Sequence, residues 1–268
     1  MQFVVCIKQV RDVAAISEML SHAPRSVAIK TEEMMDLLEK TPGMMNPEDK
    51  HALEAALQLR DAFGGEVVCV SVGREDAISA LKEAMAMGAD RAELWTTQEL
   101  DVSGSADVLA TIVKERTQAD LILCAELSVD ASTHQLPALL ASRLGMPYLN
   151  GICDISIEDQ KLRVRRKLPE EIALYRLSLP AVLSISPHAN EPRYPSVMGI
   201  VRFSGEKIPA QIRVEAAPEE MIKGKFFFTK TQEWTLLDNE RDIEWIACED
   251  ADEKADQLLK KLNRRGIL

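Results

Sequence analysis

Apolar runs of strand length alternate with segments of helical period through the first half of the chain. This order restricts the fold more than any other feature. Phe3 to Ile7, Glu66 to Val72, Ala92 to Thr96 and Ala119 to Cys124 are short and mostly apolar. Runs of this kind suit strands covered on both faces. Between the first two lies Pro47 to Phe63, with Ala52, Leu53, Ala56, Leu57 and Phe63 at helical spacing and Pro47 suited to a first turn. Glu75 to Met87, Ala106 to Glu115 and Ala131 to Leu144 also read as helices, and Gly64-Gly65, Gly88 and Gly145 close three of the four. Strand–helix–strand order predicts an α/β fold, a doubly wound, mostly parallel sheet with helices on both faces.

The pattern changes after Pro147. Ile152 to Ile157, Leu162 to Leu168 and Ile172 to Leu177 read as an added antiparallel segment, with turns near Glu158-Asp159-Gln160 and Pro169-Glu170. Leu179 to Ile185 is a further strand. It leads into Asn190-Glu191-Pro192-Arg193-Tyr194-Pro195-Ser196. Two prolines there fix φ and push the residues before them toward extended backbone. The segment is expected to be a stiff projecting loop, tipped by Val197 and Met198. Such a loop loses little entropy on docking and suits a partner anchor. Residues 1–210 therefore read as one α/β domain with a docking loop near 188–200. Residues 211–268 read as a C-terminal extension. Phe226, Phe227, Phe228, Trp234 and Trp245 cluster in it, which suggests packing onto something large. Asp252 to Leu262 places Ala255, Leu258, Leu259 and Leu262 on one helical face.

The formal charge of −11 argues against nucleic-acid binding, which needs a basic face. No apolar run reaches the length of a membrane span, so no membrane insertion is expected. Met1 to Val10 is too short and polar for a signal peptide, and a cytoplasmic location is expected. Cys6, Cys69, Cys124, Cys153 and Cys248 include no Cys-x-x-Cys pair and read as structural thiols. Redox work would then fall to a bound cofactor. The four histidines form no catalytic or metal-binding set, and His22 and His51 are expected to be exposed. Arg163, Arg165, Arg166 and Lys167 read first as a solvated strand face.

Open parallel sheets bind ligands beyond the carboxyl ends of the strands, where strand order reverses. That rule points to Cys6-Ile7-Lys8, to Ser71-Val72-Gly73, to Ala125-Glu126-Leu127-Ser128 and to the helix entrance Asn46-Pro47. Ser128-Val129-Asp130-Ala131-Ser132-Thr133-His134-Gln135 joins a strand to a helix. A helix start offers free N–H groups and a positive dipole end, which favour phosphate. Ser132 and Thr133 add hydroxyls, and Asp130 is a candidate N-cap. Neither Gly-x-Gly-x-x-Gly nor a Walker loop occurs.

Cys6-Ile7-Lys8-Gln9-Val10, Asn46-Pro47-Glu48-Asp49, Ala84 to Ala92, Ser128 to Gln135 and Asn190 to Tyr194 occur in order. Together they resemble the beta (small) subunit of electron transfer flavoproteins, from about residue 1 to about residue 205. Ala125-Glu126-Leu127 departs from the family's usual Gly-Lys/Arg-Gln. The resemblance implies a Rossmann-like, adenine-nucleotide-binding domain. Its cofactor-binding residues would be Cys6, Asn46, Pro47, Asp49, Val72, Ser128, Asp130, Ser132, Thr133 and Gln135. Its partner-docking residues would be Asn190, Glu191, Pro192, Arg193, Tyr194 and Val197. It implies an electron carrier rather than a classical enzyme. The pocket here would hold AMP, with one FAD per heterodimer held mostly by an alpha-type subunit on which the extension packs. Electrons would come from a flavin dehydrogenase of the acyl-CoA dehydrogenase type and pass to a quinone reductase or other acceptor. An electron-bifurcating subunit with FAD in its own pocket, and a stand-alone adenine-nucleotide sensor, remain as alternatives.

Overall fold

A computed structural model describes residues 1–21, 28–97, 100–158, 161–168, 170–205, 207–221, 233–235, 246 and 250–267. The chain opens with β1 (Gln2–Cys6), β2 (Gln9–Arg11), α1 (Val13–Ser21), β3 (Ala28–Lys30), α2 (Thr31–Lys40) and β4 (Gly43–Met45). It continues through α3 (Pro47–Phe63), β5 (Glu66–Gly73), α4 (Ile78–Met87), β6 (Arg91–Thr96), α5 (Val102–Arg116), β7 (Leu121–Ala125) and α6 (Leu136–Leu144). Next come β8 (Tyr148–Glu158), β9 (Lys161–Lys167), β10 (Ile172–Ser178) and β11 (Ala181–Ile185). The chain ends with α7 (Val197–Phe203), β12 (Ile212–Ala216), β13 (Glu233–Thr235) and α8 (Ala251–Arg264).

Nine strands form the main sheet in the order β10-β9-β8-β11-β7-β1-β5-β6-β12. From β8 to β12 every neighbouring pair is parallel, while β9 and β10 run antiparallel. The chain leaves β1 toward β5 and β6, then returns to the other side of β1 as β7. Strand order therefore reverses between β1 and β7, and the ligand crevice of such a sheet opens at their carboxyl ends.

The alternation of side chains along each strand explains the double covering. Phe3, Val5, Val67, Cys69, Leu121 and Leu123 pack with Leu53 and Leu57 of α3 and Leu81 and Met85 of α4. Val4, Cys6, Val68, Val70, Ile122 and Cys124 face the other way, onto Val108, Leu109 and Ile112 of α5 and Leu140 of α6. Cys6, Cys69 and Cys124 are buried thiols and Cys153 is half-buried, while Cys248 lies outside the described residues. Burial pushes the Cys69 thiol above its usual range. Among the described residues, no helix is long and apolar enough to cross a membrane.

The α/β architecture follows the sequence pattern, but several boundaries do not. The helix expected over Ala131 to Leu144 begins only at Leu136. Ser132 and His134 take φ of 48° and 55°, left-handed values that no α-helix accommodates. Val197 is not a loop tip but the first residue of α7, which Ser196 caps by accepting from the Gly199 N–H at 2.9 Å. The extension expected from residue 211 begins inside the main sheet, because β12 pairs in parallel with β6 from Ile212↔Ala92 to Ala216↔Thr96. Of its aromatics, Phe226, Phe227, Phe228 and Trp245 lie outside the described residues, and Trp234 falls on β13, which pairs with β3. α8 is capped by Asp250 and has no buried residue, with Leu258 and Leu259 about half exposed. The basic residues of β9 do meet acids on the sheet face: Arg163 pairs with Glu158 at 3.0 Å and Arg165 with Asp154 at 2.7 Å.

Candidate functional site

The crevice beyond β1 and β7 is built around one fully buried amide. Asn46, the residue before α3, donates from Nδ2 to the Leu127 carbonyl at 3.0 Å and to Asp49 Oδ1 at 2.9 Å. Its Oδ1 accepts from the Val129 N–H at 3.2 Å, and its backbone N–H donates to the Lys8 carbonyl at 2.9 Å. Asp49 Oδ2 accepts the Lys8 N–H at 2.6 Å. One Asn and one Asp thus join the end of β1, the start of α3 and the loop after β7. Pro47 supplies the first helical residue, where its missing N–H costs nothing.

Lys8 lies two residues past β1 and reaches across the reversal point. Its Nζ donates to Asp130, at 2.6 Å from Oδ2, and to Ser128 Oγ at 3.4 Å. Partial burial alone would push the Asp130 carboxyl up, but hydrogen bonds from Lys8 and Ser128 outweigh it and hold it below the usual carboxylate range. Asp130 is therefore not the helix cap; Gln135 precedes α6 and makes no side-chain cap bond. The turn closes on itself through Ser132 N–H to the Ser128 carbonyl at 2.8 Å. Asp130, Ser132, Thr133 and Gln135 are all exposed, and α6 starts directly behind them. Val72 is half-buried and packs against the core on the α5/α6 face of the sheet. The Cys6 side chain is buried on that same face, so only its backbone reaches the strand end.

Asp49 carries the strongest pH signature of the site. Burial raises its pKa from 3.8 to about 7, against the opposing hydrogen bonds from the Lys8 backbone and Asn46. A carboxyl raised on folding stabilises the fold fully below its unfolded pKa and loses that contribution as pH rises through the folded value. The window runs from about pH 4 to about pH 7, and the change is worth roughly 4 kcal/mol across it. Glu54, Asp61 and Asp130 are depressed, so their contributions fade only as the solution becomes more acid than the ordinary carboxylate range. Denaturant midpoints should therefore fall between pH 5 and pH 8 in the wild type. Asp49→Asn should flatten that slope, whatever its absolute midpoint. An unchanged slope would mean that another group carries it.

A second surface lies at the start of α7. Asn190 and Arg193 turn inward rather than outward. Asn190 Nδ2 donates to the His51 carbonyl at 3.0 Å, and His51 Nδ1 lies 3.1 Å from the Asn190 carbonyl oxygen. Arg193 grips Glu54 with Nε to Oε2 at 2.8 Å and Nη2 to Oε1 at 3.1 Å, and reaches Asp61 at 3.0 Å. Glu191 is exposed, Pro192 is half-buried, and Tyr194, Val197, Met198 and Val201 are exposed by 93%, 76%, 78% and 69%. This is a contiguous apolar run on a pinned segment, the form of an interaction surface. In the sequence Glu54 belongs to the helix start that carries the family resemblance but has no assigned role, and His51 is expected to be exposed, although it is half-buried against Asn190. Their one sequence signal is that His51, Glu54 and Asp61 share a face of α3, three and seven residues apart.

Comparison with known proteins places the chain among redox carriers. Residues 35–218 match the family model of the electron transfer flavoprotein domain. The chain is similar to the electron transfer flavoprotein subunit beta of Thermoanaerobacterium thermosaccharolyticum, 31% identical over 86% of this chain and 90% of that protein. It is 29% identical to the subunit beta of Megasphaera elsdenii over the full length of both. It is also 34% identical to CarD, a subunit of the caffeyl-CoA reductase-Etf complex of Acetobacterium woodii, over 75% of this chain and 74% of that one.

Proposed function

We propose, for a chain that belongs to the electron transfer flavoprotein family as a beta-type small subunit, a division of labour between its two surfaces. The crevice beyond β1 and β7 holds an adenine nucleotide, AMP. The α7 surface docks a flavin dehydrogenase of the acyl-CoA dehydrogenase type. An alpha-type subunit completes the heterodimer and holds most of its one FAD, and the C-terminal extension packs on that subunit. Electrons pass on to a quinone reductase or another acceptor, in the cytoplasm. The flavin, when bound, supplies the redox chemistry.

The observation that carries this reading is the convergence of Lys8, Asn46 and residues 128–135 at the reversal of strand order. These residues fit a phosphate-bearing ligand. Lys8 brings a cation, Ser128, Ser132 and Thr133 bring hydroxyls, and the start of α6 brings the positive end of a helix. Lys8 also pairs with Asp130, which reduces the repulsion that this acid would exert on an anion. Asn46 and Asp49 spend their polar atoms inside the protein, so their task is to hold the walls. Pro47, Val72 and Cys6 lie at the neighbouring helix start and strand ends, and Gln135 precedes α6.

The similarity to a subunit of a reductase complex supports a second reading, in which this crevice holds a second FAD and electrons are split between two acceptors. Co-expression with an alpha-type subunit tests the shared core of both readings. A one-to-one complex carrying flavin is the expected product. A well-behaved free-standing chain that ignores the alpha-type subunit would support a nucleotide sensor instead.

A further inference from the structure

The segment between β11 and α7 is clamped at both ends. At the near end, Asn190 and His51 exchange hydrogen bonds, and Glu54 receives three contacts from Arg193: the backbone N–H at 3.1 Å, Nε at 2.8 Å and Nη2 at 3.1 Å. Glu54 is nearly buried, with 6% of its side chain exposed, and it also accepts from Gln58 at 2.9 Å. The Arg193 guanidinium is shared between two carboxylates of α3, since Asp61 Oδ2 lies 3.0 Å from Nη2. Both carboxyls would be pushed up by burial alone, but their hydrogen bonds, those from Arg193 among them, hold them below the usual range. At the far end, the Ser196 N–H donates to the Ala86 carbonyl at 3.2 Å. Gly199 lies so close to α4 that a Cβ there would come within 2.5 Å of the same carbonyl oxygen. Beside the clamps, Glu191, Tyr194 and the apolar start of α7 face outward.

We infer that Arg193 and Asn190 are positioning residues: they fix the docking segment onto α3 through Glu54 and His51, and they do not touch the redox partner. The partner meets Tyr194, Val197 and Met198, whose order is set in advance by the clamp. A segment ordered before docking loses less entropy when it docks. The functional half of this inference rests on the docking surface proposed above, and the clamp itself does not.

The test uses Glu54→Gln, Arg193→Gln and the double substitution, each in the intact heterodimer, with Arg193→Lys as a milder variant that keeps the charge. The first readout, hydrogen–deuterium exchange over residues 190–198, needs no partner. Each single substitution should raise exchange to the same level, the double should add nothing further, and Arg193→Lys should be intermediate because lysine lacks the fork. The second readout is electron transfer from an acyl-CoA dehydrogenase. The KM for the heterodimer should rise about tenfold in both singles and in the double, with kcat nearly unchanged. Unchanged exchange in Glu54→Gln would overturn the clamp. A loss of transfer in Arg193→Gln but not in Glu54→Gln would show that Arg193 touches the partner, and would overturn its positioning role. Raised exchange with an unchanged KM would leave the clamp standing and overturn the docking surface.

Discussion

Replacing Val197 by Asp should leave the heterodimer and its proposed flavin and nucleotide intact, and should lower electron transfer from the proposed dehydrogenase partner by at least about 30-fold. Val197 is 76% exposed and makes no buried packing that the fold depends on. Surface substitutions of that kind change stability by about 0.5 kcal/mol or less. Asp is also tolerated at a first helical position, where it meets the positive end of the dipole. In a docked complex the same residue would sit at the centre of the apolar run formed with Tyr194, Met198 and Val201. An unpaired carboxylate buried there costs several kcal/mol of binding. The measurement is the rate of flavin reduction by the dehydrogenase, followed against heterodimer concentration. A normal rate would remove Val197 from the docking surface.

The second large effect falls on the crevice proposed above to hold a nucleotide. Asn46→Ala removes three side-chain hydrogen bonds at a fully buried position, leaving the Leu127 carbonyl and the Val129 N–H without the partner that ties them to α3. A buried polar group left unpaired costs about 1–3 kcal/mol, so a loss of about 3 kcal/mol or more is expected. Asp49 also loses the Asn46 hydrogen bond that opposes the burial-driven rise of its pKa. The loop carrying Ser128 and Asp130 should then drift from Lys8, and bound nucleotide should fall by tenfold or more, on the order of one well-oriented charged contact. Thermal unfolding and the nucleotide content of the purified complex measure the two consequences separately. Full nucleotide content together with lowered stability would place Asn46 in the scaffold alone.

Much of the framework was legible because it depends on simple periodicity. The strands around Val5, Val70 and Leu123 are apolar on both faces, and the α3 pattern through Ala52, Leu53, Ala56 and Leu57 is unmistakable. The switch point follows from chain order and a general rule of parallel sheets. Other features depend on contacts that no local pattern records. Ser132 and His134 adopt positive φ without being glycines, so the turn before α6 looks like helix in the sequence. β2 and β4 are three residues each and find one another across more than thirty positions, from Gln9 to Met45. β12 is a short alternating edge strand, easily mistaken for the start of a tail. Arg193 meets Glu54 across 139 positions of sequence, a pairing that no local pattern records. Lys8 lies at a strand end that the switch-point rule already picks out, but its reach to Asp130 emerges only from the sheet topology.

Counting the nucleotides carried by the heterodimer tests the account most directly. The chain is co-purified with its alpha-type subunit, the ligands are released with acid, and FAD and AMP are quantified per complex. One FAD and one AMP are expected, the AMP in the crevice between β1 and β7. Flavin without AMP, and with no nucleotide lost on Asn46→Ala, would contradict the assignment of that crevice.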